Sequence, residues 1–460
     1  MKKSQNSAGN EYRSRMLGID ALVKLKNGRR VPAINLDNAA TTPAFSDVAE
    51  EVRQKLMYYG SIGRGKGQKS EISTVVYTEG RSAVKKFVGA DNKKYTVLYC
   101  NNTTDGMNKL ASALITSPRD LVLSTRMEHH ANDLPWRERC RTVYADVDGD
   151  GRLRIADMER LLQKYDRKIK YVTVAAASNV TGYVNDVRTV AGLAHRYGAK
   201  IIVDGAQIVA HRAFSMLGEK GRDEDIDFFV FSAHKMYSPY GGGAIVGLKQ
   251  ELDAHLPAFY GGGMVEAVTD GDVDYADAPD LYEAGSPNYP GVVGMLKAIQ
   301  LLSEAGFDYI REHEQTLLRR AIDKLRNEVP SAILYGDCDN IEDRVGILTF
   351  NLKTVENEDL ADRLAAYSAI AVRHAKFCAH TYVDRLLGEV VPSEADRLDA
   401  ACVSHKGMVR ISFGIYNTEE DVDALIAALQ GILAQPDAFA AVEVTSRVAA
   451  RRNKYPGDRG

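Results

Sequence analysis

The feature that most constrains the fold is an alternation. From about residue 40 to residue 300, short apolar runs recur, each separated from the next by a stretch of helical character. The clearest runs are Thr96-Val-Leu-Tyr-Cys100, Asp120-Leu-Val-Leu-Ser124, Tyr171-Val-Thr-Val-Ala175, Lys200-Ile-Ile-Val-Asp204 and Asp227-Phe-Phe-Val-Phe231. Such runs suit strands buried on both faces, and the helices between them supply the crossovers that parallel neighbours require. The expected architecture is α/β, a large domain with a mostly parallel sheet flanked by helices. A long charged helix over residues 309–327 then leads to a second part. That part holds strands at Gly346-Ile-Leu-Thr-Phe-Asn351 and Met408-Val-Arg-Ile-Ser412, and a helix opening at Thr418-Glu-Glu-Asp421 with capping-box spacing. At 460 residues the chain is long enough for two cores. We expect a large domain over residues 35–300 and a smaller α+β domain built from residues 1–34 with 301–460.

The ends of these strands carry the chemistry. Phe228-Phe-Val-Phe-Ser-Ala-His-Lys235 runs a strand into a single lysine, and Gly241-Gly-Gly243 opens a further apolar run. A lysine after a strand is by itself an ordinary turn residue. Here Ala199-Lys-Ile-Ile-Val-Asp204-Gly-Ala-Gln207 delivers a carboxylate at the carboxyl end of another strand, where open α/β sheets bind their ligands. An aspartate that keeps a pyridine nitrogen protonated and a lysine that forms a Schiff base are the pair needed by pyridoxal 5'-phosphate. Asn101-Asn-Thr103-Thr104 follows a strand and opens a helix, so its hydroxyls and free N–H groups either cap the helix or also bind a phosphate. Met127-Glu-His129-His130 follows another strand. Adjacent histidines point in different directions, which disfavours a shared metal, while His129 can stack on a flat aromatic ring. In Ser178-Asn179-Val-Thr-Gly182, the asparagine can hydrogen-bond a ring oxygen.

Together these motifs resemble the class V, fold-type I aminotransferase superfamily, and within it the Suf-type cysteine desulfurases and selenocysteine lyases. The resemblance covers residues 35–426 and rests on Leu36-Asp-Asn-Ala-Ala-Thr, Glu128-His-His-Ala-Asn with Pro135-Trp136, Val203-Asp-Gly-Ala-Gln207, Ser232-Ala-His-Lys235, Glu283-Ala-Gly-Ser-Pro-Asn288, and Arg410 with Tyr416-Asn-Thr. It implies that Lys235 carries the cofactor covalently, Asp204 pairs with its ring nitrogen, His129 stacks on the ring, and Asn179 and Gln207 touch its phenolic oxygen. Thr103, Thr104, Ser232 and His234 would hold the phosphate. Ser286 would do so for a neighbouring subunit, which implies a homodimer with shared active sites. Arg410, Arg373 and Asn179 would bind the amino-acid substrate. Cys378, among Arg373, His374, Lys376 and His380, would take the sulfur as a persulfide and pass it to a sulfur-acceptor protein. The implied activity is cysteine desulfuration, with selenocysteine lyase, another C–S lyase, an epimerase or a transaminase as the alternatives within the superfamily. A catalytically silent scaffold on the same fold would have no need of the Lys235–Asp204 pair.

Three departures from the Suf-type pattern lie on the substrate side. Gly63 stands before Arg64 where histidine is usual, Lys376-Phe377 and His380-Thr381 flank the cysteine, and the segment between Cys378 and Arg410 is long, with Val383-Asp-Arg-Leu-Leu-Gly-Glu-Val-Val391 reading as a helix. A net charge of −3 and a pI near 6.4 give no reason to expect nucleic acid or an anionic membrane as partner. No apolar run is long enough to span a bilayer and the N-terminus lacks a secretory signal, so a cytoplasmic protein is expected. Five scattered cysteines without a Cys-x-x-Cys pair suit reduced thiols and no structural zinc. Asp146-Val-Asp148-Gly-Asp150-Gly151 followed by Asp157 has calcium-loop spacing, but a strand precedes it and the closing position is aspartate, so no metal site is expected. The polar tail from Arg451 lacks apolar periodicity and is expected to fray.

Overall fold

The structure is a computed structural model that describes residues 11–63, 65–90, 93–389 and 406–434. Seven strands form the central sheet: β1 (Tyr95–Cys100), β2 (Leu121–Thr125), β3 (Arg141–Ala145), β4 (Ile169–Ala175), β5 (Lys200–Asp204), β6 (Phe228–Ser232) and β7 (Gly243–Leu248), in the order β3-β2-β4-β5-β6-β7-β1. Strands β3, β2, β4, β5 and β6 run parallel, and β7 lies antiparallel between β6 and β1. The parallel strands end on one edge, so their carboxyl ends bring distant segments to one line of loops. All of β6 and all but the last residue of β1 are buried, as sequences apolar on both faces require.

A second sheet of four strands, β8 (Ala332–Leu334), β9 (Ile347–Leu352), β10 (Arg373–Ala375) and β11 (Met408–Ser412), is ordered β8-β9-β11-β10 and antiparallel throughout. It has its own apolar core, formed with Leu360 and Leu364 from the helix Asn357–Ser368, Leu425 and Leu429 from the helix Glu419–Ala434, and the apolar face of the long helix Phe307–Glu328. Asp421 accepts a hydrogen bond from the Thr418 backbone N–H at 3.1 Å, the back-bond that the capping spacing predicts. Near the N-terminus, Ile34–Asn35 pairs in parallel with Ile370–Ala371, whereas Met16 and Ile19 join the larger core.

The helix after the cysteine begins earlier than its sequence suggests, running His380–Leu386 and ending at Leu387 and the left-handed Gly388. Tyr382 and Val383 are fully buried, so packing of residues nearer the cysteine starts the helix sooner. The expected continuation over Val390 and Val391 lies outside the described residues, as do Arg64 and the tail from Arg451. Among the described residues, no helix is long and apolar enough to cross a membrane.

Candidate active site

Loops at the carboxyl edge of the central sheet meet the second sheet around a cavity of about 300 Å³. The helix α1 (Thr103–Leu114) starts directly after β1, capped by Asn102, whose side chain accepts from the Asp105 N–H at 2.9 Å. The Ser232 hydroxyl at the end of β6 accepts the Thr103 N–H and meets the Thr103 hydroxyl, both at 2.7 Å. Thr104 stays exposed beside them, so the helix N-terminus and an unspent hydroxyl face the cavity. His129 follows β2, Asn179 follows β4, Asp204 ends β5, and His234 and Lys235 follow β6; all line the same space.

Burial dominates the electrostatics of this edge. It pushes the Lys235 ammonium down to about 8, opposed by the nearby Asp204 carboxylate and reinforced by Arg410. Asp204 is buried and pushed up by desolvation, although it accepts the Ala206 N–H at 2.9 Å and faces Lys235. His129 is pushed down to about 3 and His234 to about 4, in each case by desolvation first and by the Lys235 charge second, so both rings are neutral at physiological pH. Gln207 donates from Nε2 to the Ala39 carbonyl at 2.9 Å, while its Oε1 is buried with no hydrogen-bond partner. A half-buried amine, a buried carboxylate, a neutral imidazole and an orphaned carboxamide oxygen around one cavity are a donor set that fits a flat, anionic, heteroaromatic aldehyde.

Arg410 and Arg373 enter from the second sheet, where they face each other across β11 and β10. Arg410 is buried, donates from Nη2 to Asp37 at 2.7 Å and from Nη1 to the Asn179 carbonyl at 2.9 Å, and keeps a buried Nε without a partner. Desolvation lowers its pKa against the pull of Asp37. Cys378 is exposed and lines the cavity with Lys235 and Arg410; it also lines an outer groove with Thr104, His130, Leu134 and Arg139. Its backbone lies in the left-handed region (φ 54°), as do Phe377 (51°) and Ala375 (78°). For residues with a Cβ this costs about 1–2 kcal/mol each.

The basic surroundings expected for Cys378 are narrower than its sequence neighbours suggest. Lys376 is buried against Asp384 at 2.6 Å, because the helix that follows brings that carboxylate back, and the His380 ring meets His130 edge-on with centroids 4.6 Å apart. Arg373 alone of the four basic neighbours lines the cavity. Ser286 lies elsewhere, exposed in a separate concavity with Cys100, Lys109 and Phe259. Asn179 lines the cavity while donating from Nδ2 to the Phe377 carbonyl at 2.9 Å. Two contributors carried no role in the sequence reading. Asp37 anchors Arg410 from 373 residues away, and Glu128 lies buried behind His129. Glu128 accepts from Thr125 Oγ1 (2.6 Å), Asn132 Nδ2 (2.6 Å) and the Ala175 N–H (3.1 Å), and burial pushes its carboxyl up to about 8. The sequence signals them only as an acid at the head of the turn in Leu36-Asp-Asn-Ala-Ala-Thr and an acid in an apolar setting in Glu128-His-His-Ala-Asn.

Residues 34–425 match the sequence family described as aminotransferase class-V. A cysteine desulfurase of Haloferax volcanii is 34% identical over 407 residues, covering 86% of this chain and 89% of the relative. One from Klebsiella pneumoniae subsp. pneumoniae is 33% identical over 414 residues, covering 87% and 93%. Among solved structures, the apo cysteine desulfurase of Thermococcus onnurineus NA1 superposes with a TM-score of 0.77 at 26% identity, over 87% of this chain and 95% of that one. The Escherichia coli cysteine desulfurase CsdA, in an S-sulfonic acid form, superposes with a TM-score of 0.75 at 26% identity, over 93% and 98%.

Proposed function

Because this chain belongs to the class-V aminotransferase family, we infer that it is a pyridoxal-phosphate-dependent cysteine desulfurase, which converts L-cysteine to L-alanine and leaves the sulfur as a persulfide on Cys378. The observation that carries this reading is the meeting of Lys235, Asp204, Arg410 and Cys378 around one cavity. Relatives named cysteine desulfurase, aligned over most of the chain, support it.

The residues present fit the cofactor. Lys235 would bear it, Asp204 would face its ring nitrogen and His129 its ring, Asn179 and Gln207 its phenolic oxygen, and Thr103, Thr104, Ser232 and His234 its phosphate. When bound, pyridoxal phosphate supplies an electrophilic carbon for the amino group and a cationic ring that draws electron density from the α-carbon. The chain's own groups do the rest. Lys235, held down to about 8, has an accessible neutral form and removes the α-proton. Arg410 holds the substrate carboxylate with Arg373 beside it, a task suited to planar forked donors. The Cys378 sulfur attacks the substrate sulfur: an S–S bond forms, the Cβ–S bond breaks, and its electron pair stays with carbon, where a proton completes the methyl group of alanine. The electrons given up by sulfur are those of the new C–H bond, so no outside oxidant enters.

The exposure of Cys378 to an outer groove suits transfer of the sulfur to an acceptor protein. The position of Ser286 supports a homodimer in which each subunit lends that hydroxyl to the other's phosphate site, and the exposed Leu256 (54%), Phe259 (68%) and Tyr260 (57%) supply apolar surface for the contact. Residues 35–300 would hold the cofactor and residues 1–34 with 301–460 the substrate arginines and the thiol, in the cytoplasm where the thiol stays reduced. The test is a pair of variants. Lys235→Ala should lose the covalent cofactor and all activity, whereas Cys378→Ala should keep the cofactor and stop releasing sulfide from cysteine. A Lys235→Ala protein that still binds the cofactor covalently would contradict the assignment.

A further inference from the structure

The turn 146–151, with its calcium-like spacing, has a different use in the fold. The carboxylates of Asp148 and the nearby Asp157 are bonded to backbone N–H groups. Asp148 Oδ1 accepts the backbone N–H groups of Asp150 (3.0 Å) and Arg152 (2.8 Å), and Asp157 accepts that of Asp146 at 2.9 Å. The turn so stiffened receives the helix α2 (His380–Leu386) that follows the cysteine. Tyr382 Oη donates to the Gly151 carbonyl at 2.6 Å and shares a hydrogen bond with Thr181 Oγ1 at 3.0 Å, and Arg385 Nε donates to Asp146 Oδ1 at 2.9 Å. Gly151 is at φ 87°, where a side chain is strained, and a Cβ there would come within 2.6 Å of Leu386 Cδ2 and 2.8 Å of Tyr382 Oη and displace them.

We propose that this turn is a seat that positions Cys378. The segment Ala375-Lys-Phe-Cys378 holds three left-handed residues, a conformation that persists only where the surroundings over-determine it. Upstream it continues strand β10. Downstream, the Ala379 N–H closes on the Lys376 carbonyl at 2.8 Å, Lys376 pairs with Asp384, and Tyr382 is fixed by the seat. Between these anchors, the Cys378 carbonyl accepts the His130 N–H at 2.7 Å and the Phe377 carbonyl accepts Asn179 Nδ2. Phe377, Ala379, Tyr382 and Val383 share one apolar cluster with Val147 from the turn and Val180. Tyr382, Arg385, Asp146 and Gly151 are thus positioning residues: none lines the cavity, and each acts on the thiol through the segment it restrains.

The inference rests on the proposed function only for what the thiol does once positioned, and its test is read first on the resting protein. Hydrogen exchange of residues 376–386 and the rate at which iodoacetamide alkylates Cys378 would be compared among the parent, Tyr382→Phe and Gly151→Ala. Tyr382→Phe keeps the buried ring and removes only the hydroxyl, so it guards against a Gly151→Ala protein that does not fold. The expected result is faster exchange confined to that segment and an altered alkylation rate, with cofactor content unchanged. In the desulfurase assay, kcat should fall about tenfold while KM for L-cysteine holds, since small displacements of a reacting group are expensive in rate. Unchanged exchange and alkylation in Tyr382→Phe would overturn the proposal, as would a loss of cofactor together with a general rise in exchange, which marks a merely structural role. If the parent makes no alanine from cysteine, the exchange and alkylation results still decide whether the seat holds the thiol.

Discussion

At the scale of single residues, the site works against its own stability. Burial holds the Lys235 ammonium down to about 8, below the ~10.4 of a free lysine. Below pH 8 both the folded and unfolded chains carry that proton, and the folded state bears the full penalty of a buried charge. As pH rises from 8 towards 10 the folded chain releases the proton first and the penalty disappears. Lys235→Met should therefore stabilise the cofactor-free protein at pH 7 by about 1–2 kcal/mol, a figure reduced for the part of the side chain open to the cavity. The gain should shrink through pH 8–10. Thermal melting across that range checks it, and a gain independent of pH would mean that lost packing or another charge governs the difference. Asp204 and Lys235 were legible in the sequence because the first ends an apolar strand and the second closely follows another. Asp37 as the partner of Arg410 was not, since a contact between residues 373 apart leaves no periodic trace in either segment.

At the scale of elements, the expected strands of the central sheet lie within a residue or two of those observed, because burial on both faces imposes an unbroken apolar run, whereas the short Ala332–Leu334 and Arg373–Ala375 strands of the second sheet carried no expectation. The expected Lys200–Asp204 and Met408–Ser412 strands are those observed, and the long helix spans Phe307–Glu328 against an expected 309–327. What sequence could not display is how strand ends are tied to one another. Glu128 binds β2 through Thr125, β4 through the Ala175 N–H, and the His129 turn through Asn132, whose Oδ1 in turn accepts Thr173 Oγ1 (2.6 Å) and Trp136 Nε1 (3.1 Å). Glu128→Ala would leave these buried donors without a partner. It should cost about 2–4 kcal/mol of stability and weaken retention of the proposed cofactor, measured by denaturant unfolding and by cofactor content after dialysis. A variant as stable as the parent would show that water replaces the carboxylate. The helix after Cys378 belongs here too: its start was misplaced because the burial of Tyr382, set by the turn 146–151, is a tertiary fact.

At the scale of the whole molecule, two cores meet at one cavity, the central sheet supplying Lys235, Asp204 and His129 and the second sheet Arg410, Arg373 and the segment carrying Cys378. One serine of the expected set, Ser286, stands apart in another concavity, and the proposed homodimer assigns it to the partner's site. The protein should run as a dimer of about twice 50.6 kDa in light scattering, and Phe259→Asp should shift it towards monomer and loosen the cofactor together. A fully active monomer would contradict shared sites. Whether the cavity moves sulfur from cysteine to its own thiol is decided by the alanine formed from L-cysteine with a thiol reductant, measured for the parent and for Cys378→Ala at equal cofactor content. The parent should form alanine and the variant nearly none, whereas equal rates from the two would contradict a persulfide on Cys378.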